Sequence, residues 1–296
     1  MKPAPFEYHR PDTLDEALDL LAETGSDAKP LAGGQSLLPA MNFRLARPAV
    51  LLDLNRVAAL AYTGKNGDGG LRIGAMTRQR AAERSDLVAR GAPLLFEALP
   101  WIAHPQIRNR GTVGGSLAHA DPAAELPAVM VALDARFVLR SRAGARTVPA
   151  GGFYTGILTT VLRPDELLTE IQIPPRAPGA SAAFVEVARR QGDFALVGVA
   201  VELVADDAGR CASARIALLS VGDGPVLATH AMSVLAGSAV GVAAIEEAAR
   251  VAAEVEIDPP GDIHASPAYR RHLARVMVRR ALLRAAERSL KRDHVA

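Results

Sequence analysis

Two glycine turns constrain this chain more than any other feature of its sequence. The first, Ala32-Gly33-Gly34-Gln35-Ser36, directly follows a short strand-like run, AKPL. The second, Gly111-Thr112-Val113-Gly114-Gly115-Ser116, precedes an apolar stretch that reads as a helix to about Leu133. Glycine turns expose consecutive backbone N–H groups with no Cβ in the way, which suits close approach to phosphate oxygens. Ser36, Thr112 and Ser116 add hydroxyl donors beside them. One such turn is ordinary punctuation. Two, each in its own α/β unit, suit the two phosphates of a dinucleotide held from both sides. No GxGxxG, GxxxxGK[ST], GxSxG or HExxH pattern occurs, so Rossmann, P-loop, hydrolase-elbow and zincin chemistry lack support. His119 and Asp121 are neighbours, but two ligands do not make a metal site.

The chain divides by pattern. Thr13-Leu14-Asp15-Glu16 is a capping box that opens a helix with apolar positions Leu14, Ala17, Leu18 and Leu21, closed by Gly25. With a strand at 50–54 it makes residues 1–56 a small α/β unit. GKNGDGG (64–70) is a break. Beyond it come a strand in LRIGAM, two helices over 77–98 split near Gly91-Ala92-Pro93, and strands at 136–140 and 167–173. RAPGASA (176–182) reads as a linker. Strands at 184–188, 195–204 and 214–221 follow, then helices at 240–255 and 267–290, which argues for a separate α+β domain.

Composition excludes several classes. Cys211 is the only cysteine, so an intrachain disulfide, a cysteine zinc site or a thiolate-held cluster is impossible within this chain. It reads as an inert thiol rather than a nucleophile, since no activating histidine lies near it in sequence. The 34 basic and 32 acidic residues nearly balance, which argues against nucleic-acid binding. MKPAPFEYHRPDT has no apolar core and does not read as a signal peptide. The longest charge-free stretch, 226–245, carries His230, Gly237 and Gly241 and reads as a turn plus a soluble helix, not a membrane span. A cytoplasmic location is expected. The last helix is basic. Arg271, Arg275 and Arg279 form one row, and Arg280, Arg284 and Arg288 another. A solvated face is the first reading, docking to an acidic protein surface the second.

KPLAGGQSLLPAMNFRLARPAVLLDLNRV and QIRNRGTVGGSLAHADPAAELPAVMVALDA resemble the FAD-binding medium subunit of the molybdenum hydroxylases, the xanthine dehydrogenase and aerobic carbon monoxide dehydrogenase group. LRPDELLTEIQIP, VARRQGDFALVGVA and SPAYRRHLARVMVRRALL extend the likeness over essentially the whole chain. The resemblance implies an α+β fold: an FAD domain of the vanillyl-alcohol-oxidase type in two subdomains, 1–56 and 57–175, and a smaller α+β domain, 183–290. It also implies that Ala32, Gly33, Gly34, Gln35, Ser36 and Leu37 hold the FAD pyrophosphate from one side. Gly111, Thr112, Gly114, Gly115 and Ser116 would hold it from the other. Asp121 and Glu125 would sit near the ribose or ring system, and Ile102, Leu167 and Leu168 would line the cofactor. Phe194 would lie near the isoalloxazine, with an ordinary core phenylalanine as the competing reading. Relatives often carry a lysine on the strand after the linker. Here Phe184-Val185-Glu186-Val187-Ala188 offers none, and Arg189 or Arg190 is the substitute.

The implied role is electron transfer. Partner chains would be a small subunit with [2Fe-2S] clusters and a large subunit with a molybdenum–pterin cofactor, in a dimer of heterotrimers. FAD would pass electrons to NAD, quinone or oxygen. No catalytic side chain is expected. The alternatives are a stand-alone flavin reductase resembling the enolpyruvyl-glucosamine reductases, and a binding protein that has lost its flavin.

Overall fold

The computed structural model describes residues 2–292, with side chains described through Ser289. A small parallel sheet opens the chain. β1 (Glu7–His9) leads to α1 (Leu14–Thr24), β2 (Ala28–Leu31), α2 (Leu37–Asn42) and β3 (Val50–Asp53), in the strand order β1-β3-β2. The capping box forms as the sequence predicts. Thr13 Oγ1 accepts from the Glu16 N–H at 3.2 Å, and the Glu16 carboxylate accepts from the Thr13 N–H at 3.3 Å. Ala17, Leu18 and Leu21 then bury against Val50 and Leu52. β1, with sequence EYH and little burial, carries no apolar alternation and is invisible to pattern reading.

The second sheet is antiparallel. It begins with β4 (Thr63–Lys65) and β5 (Leu71–Gly74). Six short helices follow: α3 (Gln79–Glu83), α4 (Asp86–Gly91), α5 (Pro93–Ala98), α6 (Pro105–Arg108), α7 (Val113–His119) and α8 (Glu125–Ala132). Then come β6 (Arg136–Ser141), β7 (Gly144–Pro149), a small hairpin of β8 (Tyr154–Gly156) and β9 (Thr159–Thr160), and β10 (Leu167–Ile173). The strand order is β4-β5-β10-β6-β7, so the last strand in sequence occupies the middle.

Two local expectations need correction. Residues 77–98 hold three helices rather than two, because Ser85 accepts from the Val88 N–H and caps a new start after Arg84. The second glycine motif is not wholly a loop. Thr112 caps α7 through a 3.0 Å bond from the Gly115 N–H, so Gly114 and Gly115 lie in a helical first turn.

The third sheet runs in chain order: β11 (Ser181–Ala188), β12 (Ala195–Ala205), β13 (Cys211–Leu219) and β14 (Val226–Leu227), all antiparallel. α9 (Thr229–Leu235), α10 (Val242–Glu254) and α11 (Pro267–Arg292) complete the chain. The strand period of two sorts the faces. Ala183, Val185, Val199 and Val201 join Ile245, Met277 and Val278 in one core. Ala182, Phe184, Ala200 and Ala217 turn the other way and join Leu95, Leu126 and Val129. α8 is buried along its whole length between the second and third sheets, which explains why it is apolar on every face after Glu125. Cys211 is buried and free. Among the described residues, no helix is long and apolar enough to cross a membrane.

Polar bonds fix the seam between the sheets. Arg215 on β13 donates to the Val131 and Ala132 carbonyls at 2.8 and 2.9 Å, satisfying the C-terminal end of α8. The Ser220 N–H donates to the Pro122 carbonyl at 2.8 Å. Arg288 reaches from α11 to Glu97 on α5 and to the Ala182 carbonyl. The basic run of α11 is therefore not a uniform docking face. Arg270, Arg271, Arg279 and Arg288 bond within the chain, whereas Arg280 and Arg284 are exposed. Lys291 and Arg292, the last of the run, have side chains outside the described residues.

Arg270 is 6% exposed and donates to the Leu196 and Ser220 carbonyls and to Asp262. Arg270→Ala leaves two interior carbonyls without a donor and lowers stability by about 3 kcal/mol in urea unfolding. Arg284→Ala, on the exposed face of the same helix, changes it by less than about 0.5 kcal/mol.

Candidate functional site

The fold presses the two glycine turns together. A Cβ on Gly33 would lie 2.5 Å from the Arg110 carbonyl oxygen and 2.8 Å from Gly111 Cα. A Cβ on Gly115 would lie 3.1 Å from Ala32 Cβ. Such close backbone approach requires glycine. Gly34 adds a left-handed backbone, with φ of +75°, and Gln35 Nε2 donates to the Gly33 carbonyl at 3.0 Å to tighten the turn. Leu37 anchors the start of α2 against Met41, Leu31 and Leu51.

The two turns do different work. In the second motif the N–H groups of Gly111, Val113, Gly114 and Ser116 bond to the carbonyls of Ile107, Thr77, Ala75 and Thr112, and that of Gly115 to Thr112 Oγ1. Its glycines serve packing: a Cβ on Gly114 would lie 2.4 Å from Ala75 Cβ. In the first motif the N–H groups of Gly34, Gln35 and Ser36 have no partner among the described residues. Gly34 is buried, so its N–H calls for an acceptor from outside the chain. The expectation that both turns present runs of free N–H groups therefore holds for the first alone.

A polar strap that sequence reading missed ties the turns. Tyr8 donates to Asp53, Asn55 Nδ2 donates to the Ala32 carbonyl at 3.0 Å, and Arg78 donates to Asn55 Oδ1 at 2.6 Å and to the Arg110 carbonyl. Burial pushes the Asp53 carboxyl up, but bonds from Tyr8 and Asn55 outweigh it and hold it below its usual value. Asn55 and Arg78 also line a cleft of about 300 Å³ with Tyr62, Met76 and Thr77. The signal in sequence was the polar Asp53 and Asn55 at the end of a buried strand.

The remaining expected residues scatter. Ile102 is buried, and its carbonyl accepts from Arg108 at 2.7 Å. A Cβ on Gly192 would lie 2.5 Å from His104 Cε1, so the 192–194 turn rests on the segment following Ile102. Phe194 in that turn is 71% exposed, which rules out the core reading. Leu167 and Leu168 are buried in two different cores, the first with Leu52 and Met76, the second with Phe137 and Ile171. Asp121 accepts from the Ala123 N–H and shapes the α7–α8 turn. Ser36 and Ser116 flank the turns, one on each. Glu125, at the start of α8, is 8% exposed, and burial first, then Asp121, raise its pKa to about 7. On β11, Glu186 is raised to about 8 by burial and by Glu125. The strand without a lysine thus carries a half-buried carboxyl instead. Arg189, the expected substitute cation, points to His264 at 3.0 Å.

Gly33→Ala forces the turns apart and lowers stability by about 1–3 kcal/mol in chemical unfolding. Gly67→Ala, where an added Cβ meets nothing within 4 Å, serves as the neutral control. The raised carboxyls set the sign of the pH dependence. Their protonated forms stabilise the fold fully below pH about 4.5, and this contribution is lost as pH rises through about 7 to 8. For Glu125 the rise is on the order of 3 kcal/mol. Thermal unfolding from pH 5.5 to 9 therefore shows a falling Tm, and Glu125→Gln flattens the fall.

The family described as the FAD binding domain in molybdopterin dehydrogenase matches residues 4–176, and the CO dehydrogenase flavoprotein C-terminal domain matches residues 182–285. Subunit alpha of the 6-hydroxypseudooxynicotine dehydrogenase complex of Paenarthrobacter nicotinovorans is 43% identical, over 98% of this chain and 97% of its own. The carbon monoxide dehydrogenase medium chain of Afipia carboxidovorans is 40% identical, over 98% and 99%. A chain in the solved carbon monoxide dehydrogenase of Hydrogenophaga pseudoflava superposes with a TM-score of 0.94 at 41% identity, covering 97% of this chain and 99% of its own. With both domains matched in order and relatives aligned end to end, the chain belongs to the FAD-binding medium subunits of the molybdenum hydroxylases, and it is an oxidoreductase subunit.

Proposed function

We propose that this chain carries FAD as the electron-transfer subunit of a three-subunit molybdenum hydroxylase. In this reading it receives electrons from [2Fe-2S] clusters of a small subunit, which drain a molybdenum–pterin centre on a large one. It releases them to an external acceptor such as NAD, quinone or oxygen. The complex is read as a cytoplasmic dimer of heterotrimers. The observation that carries the reading is the paired turn: a glycine contact with no room for a side chain, beside a buried glycine whose N–H has no partner among the described residues.

The residues fit a dinucleotide. Gly34, Gln35 and Ser36 offer three N–H groups in succession, and a nest of this kind binds phosphate oxygens. Gly33 and Gly115 keep side chains out of the space between the turns. Thr112, Gly111 and Gly114 hold the second turn against the first, and Asn55 and Arg78 lock the spacing. Arg78 adds a positive charge at this point. Flavin supplies the redox chemistry, since its ring takes and gives one or two electrons, and the protein sets position and local charge. Asp121 and Glu125 lie one short turn beyond α7, where carboxyls accept from hydroxyls. The exposed Phe194 offers apolar surface to a ring, and the turn that carries it rests on the segment after the buried Ile102. Leu167 and Leu168 act from behind, as core support, rather than as lining. With one cysteine, the chain cannot hold the clusters itself, so they fall to a partner.

The test is an absorption spectrum of the tagged chain purified from its host with whatever accompanies it. Flavin and iron–sulfur bands together support the relay. Iron–sulfur bands without flavin count against it, and NADPH oxidation by the isolated chain favours the stand-alone reductase instead. Gly34→Val requires a β-branched residue at positive φ and crowds Leu31 and Leu38. It lowers FAD affinity by about tenfold or more, read by flavin fluorescence, with far-ultraviolet circular dichroism as the check on folding.

A further inference from the structure

The turn after α2 holds two large apolar side chains out of the fold. Phe43 is 67% exposed and Leu45 is 85% exposed. Met41 before them is buried with Leu31 and Leu51, and Ala46 after them packs on the same cluster. The segment is therefore anchored at both ends and turned outwards between them. Its backbone leaves no slack. The Leu45 N–H donates to the Ala40 carbonyl and the Arg44 N–H to the Met41 carbonyl, both at 2.9 Å, and the Ala46 N–H also reaches Ala40 at 3.2 Å. The first two bonds are those of a Schellman cap. Such a cap usually has glycine at its left-handed residue and folds the next, apolar residue back onto the end of the helix. Here the left-handed residue is Arg44, with φ of +59°, and Leu45 after it stands in solvent. Both departures cost stability in the isolated chain: a side chain at positive φ is strained, and an exposed leucine forgoes burial.

Lys2, Arg44 and Arg47 edge this knob, all exposed. Arg44 Nε donates to the Lys2 carbonyl at 3.4 Å, and Arg47 Nε donates to the Arg44 carbonyl at 3.0 Å. Each guanidinium is thus fixed through Nε, and its two outer nitrogens have no partner among the described residues. No Asp or Glu occurs between residues 28 and 52. Glu7, whose N–H bonds to the Ala49 carbonyl just beyond, faces His9 at 3.6 Å. Aromatic and arginine side chains carry much of the energy of protein interfaces when a partner's pocket desolvates them. A guanidinium held in one plane matches a carboxylate through two bonds. The surface that fits the knob is therefore an apolar pocket rimmed with Asp or Glu. In a twofold contact, a second copy of the chain would set the knob against its own like charge. Anionic membranes recruit clusters of about four to eight basic residues, and their diffuse charge makes no use of fixed guanidinium planes.

We propose that Phe43, Arg44, Leu45 and Arg47 form a docking knob for an acidic-rimmed apolar pocket on a partner subunit. Burial of Phe43 and Leu45 in that pocket offsets what the strained, exposed turn costs the free chain. The inference rests on the reading above that the chain works within a multi-subunit assembly.

The complex purified through a tag on the full-length chain tests it. Leu45→Cys adds an exposed thiol to a chain whose own Cys211 is buried. Maleimide labelling at residue 45, read by the mass of this chain, is expected to be about tenfold or more slower in the complex than in the isolated chain. Phe43→Ser combined with Leu45→Ser is expected to raise the dissociation constant for the partner by about thirtyfold or more, read by mass photometry over a dilution series. Arg47→Glu weakens assembly most at low salt, where charge repulsion is least screened. Ile263→Ser, which removes a 94% exposed apolar side chain elsewhere, leaves the constant unchanged. Wild-type assembly in the double variant, an equal loss in Ile263→Ser, or equal labelling in both states overturns the inference and leaves the assembly reading intact. Self-association of the isolated chain, or its binding to phosphatidylserine–phosphatidylcholine vesicles, lost in the double variant while assembly is kept, overturns it in favour of a second copy or a membrane. A wild-type chain that is purified with no partner subunit overturns the assembly reading and the docking knob together. An unchanged Tm of each isolated variant separates these results from misfolding, and the labelling of Leu45→Cys decides if the double variant does not fold.

Discussion

The contact of Gly33 with Arg110 and Gly111 governs the rest of the arrangement. Two backbones meet at a separation that admits no Cβ, and they belong to loops attached to different sheets. Packing forces alone do not hold backbones so close. Asn55 and Arg78 do it by bonding to the Ala32 and Arg110 carbonyls, one on each turn. The consequence is an asymmetric cradle. The second turn is internally satisfied and rigid, while the first keeps its N–H groups free. One wall supplies shape and the other supplies donors.

The third sheet is fastened to this unit by main-chain carbonyls more than by side-chain pairs. Arg215, Ser220 and Arg288 all reach carbonyl oxygens across the seam. Carbonyl contacts are insensitive to titration, so they keep register as pH changes. Arginine accounts for most of these reaches. A planar guanidinium satisfies two or three acceptors at once, which a lysine ammonium does less precisely in direction.

Much of this was legible in the sequence. The capping box at Thr13, the strands of the third sheet and the long helices of 242–254 and 267–292 have strong local signals, and they formed where those signals lie. The glycine turns were legible as places, but their division of labour was not, because the partners of Val113 and Gly114 lie on a distant segment at 75–77. The break at Ser85 hid in a run of good helix formers. Asn55 and Arg78 carried no motif, since their role exists only once two sheets are adjacent. Phe194 read equally as core or site, and exposure decided that it is not core.

The position of β10 bears on how the chain is made. It is the last strand of its sheet in sequence and lies between β5 and β6. On the ribosome, residues 71–141 therefore emerge with the central place of their sheet empty, and β5 and β6 expose unpaired edges until Ile173 has left the exit tunnel. Non-local pairing of this kind is slow and exposes the nascent chain to aggregation. The second turn rests on that unfinished sheet, since the Gly114 N–H bonds to Ala75, whose own N–H bonds to Thr169 on β10, so the cradle is completed late in synthesis, after most of the domain has been translated.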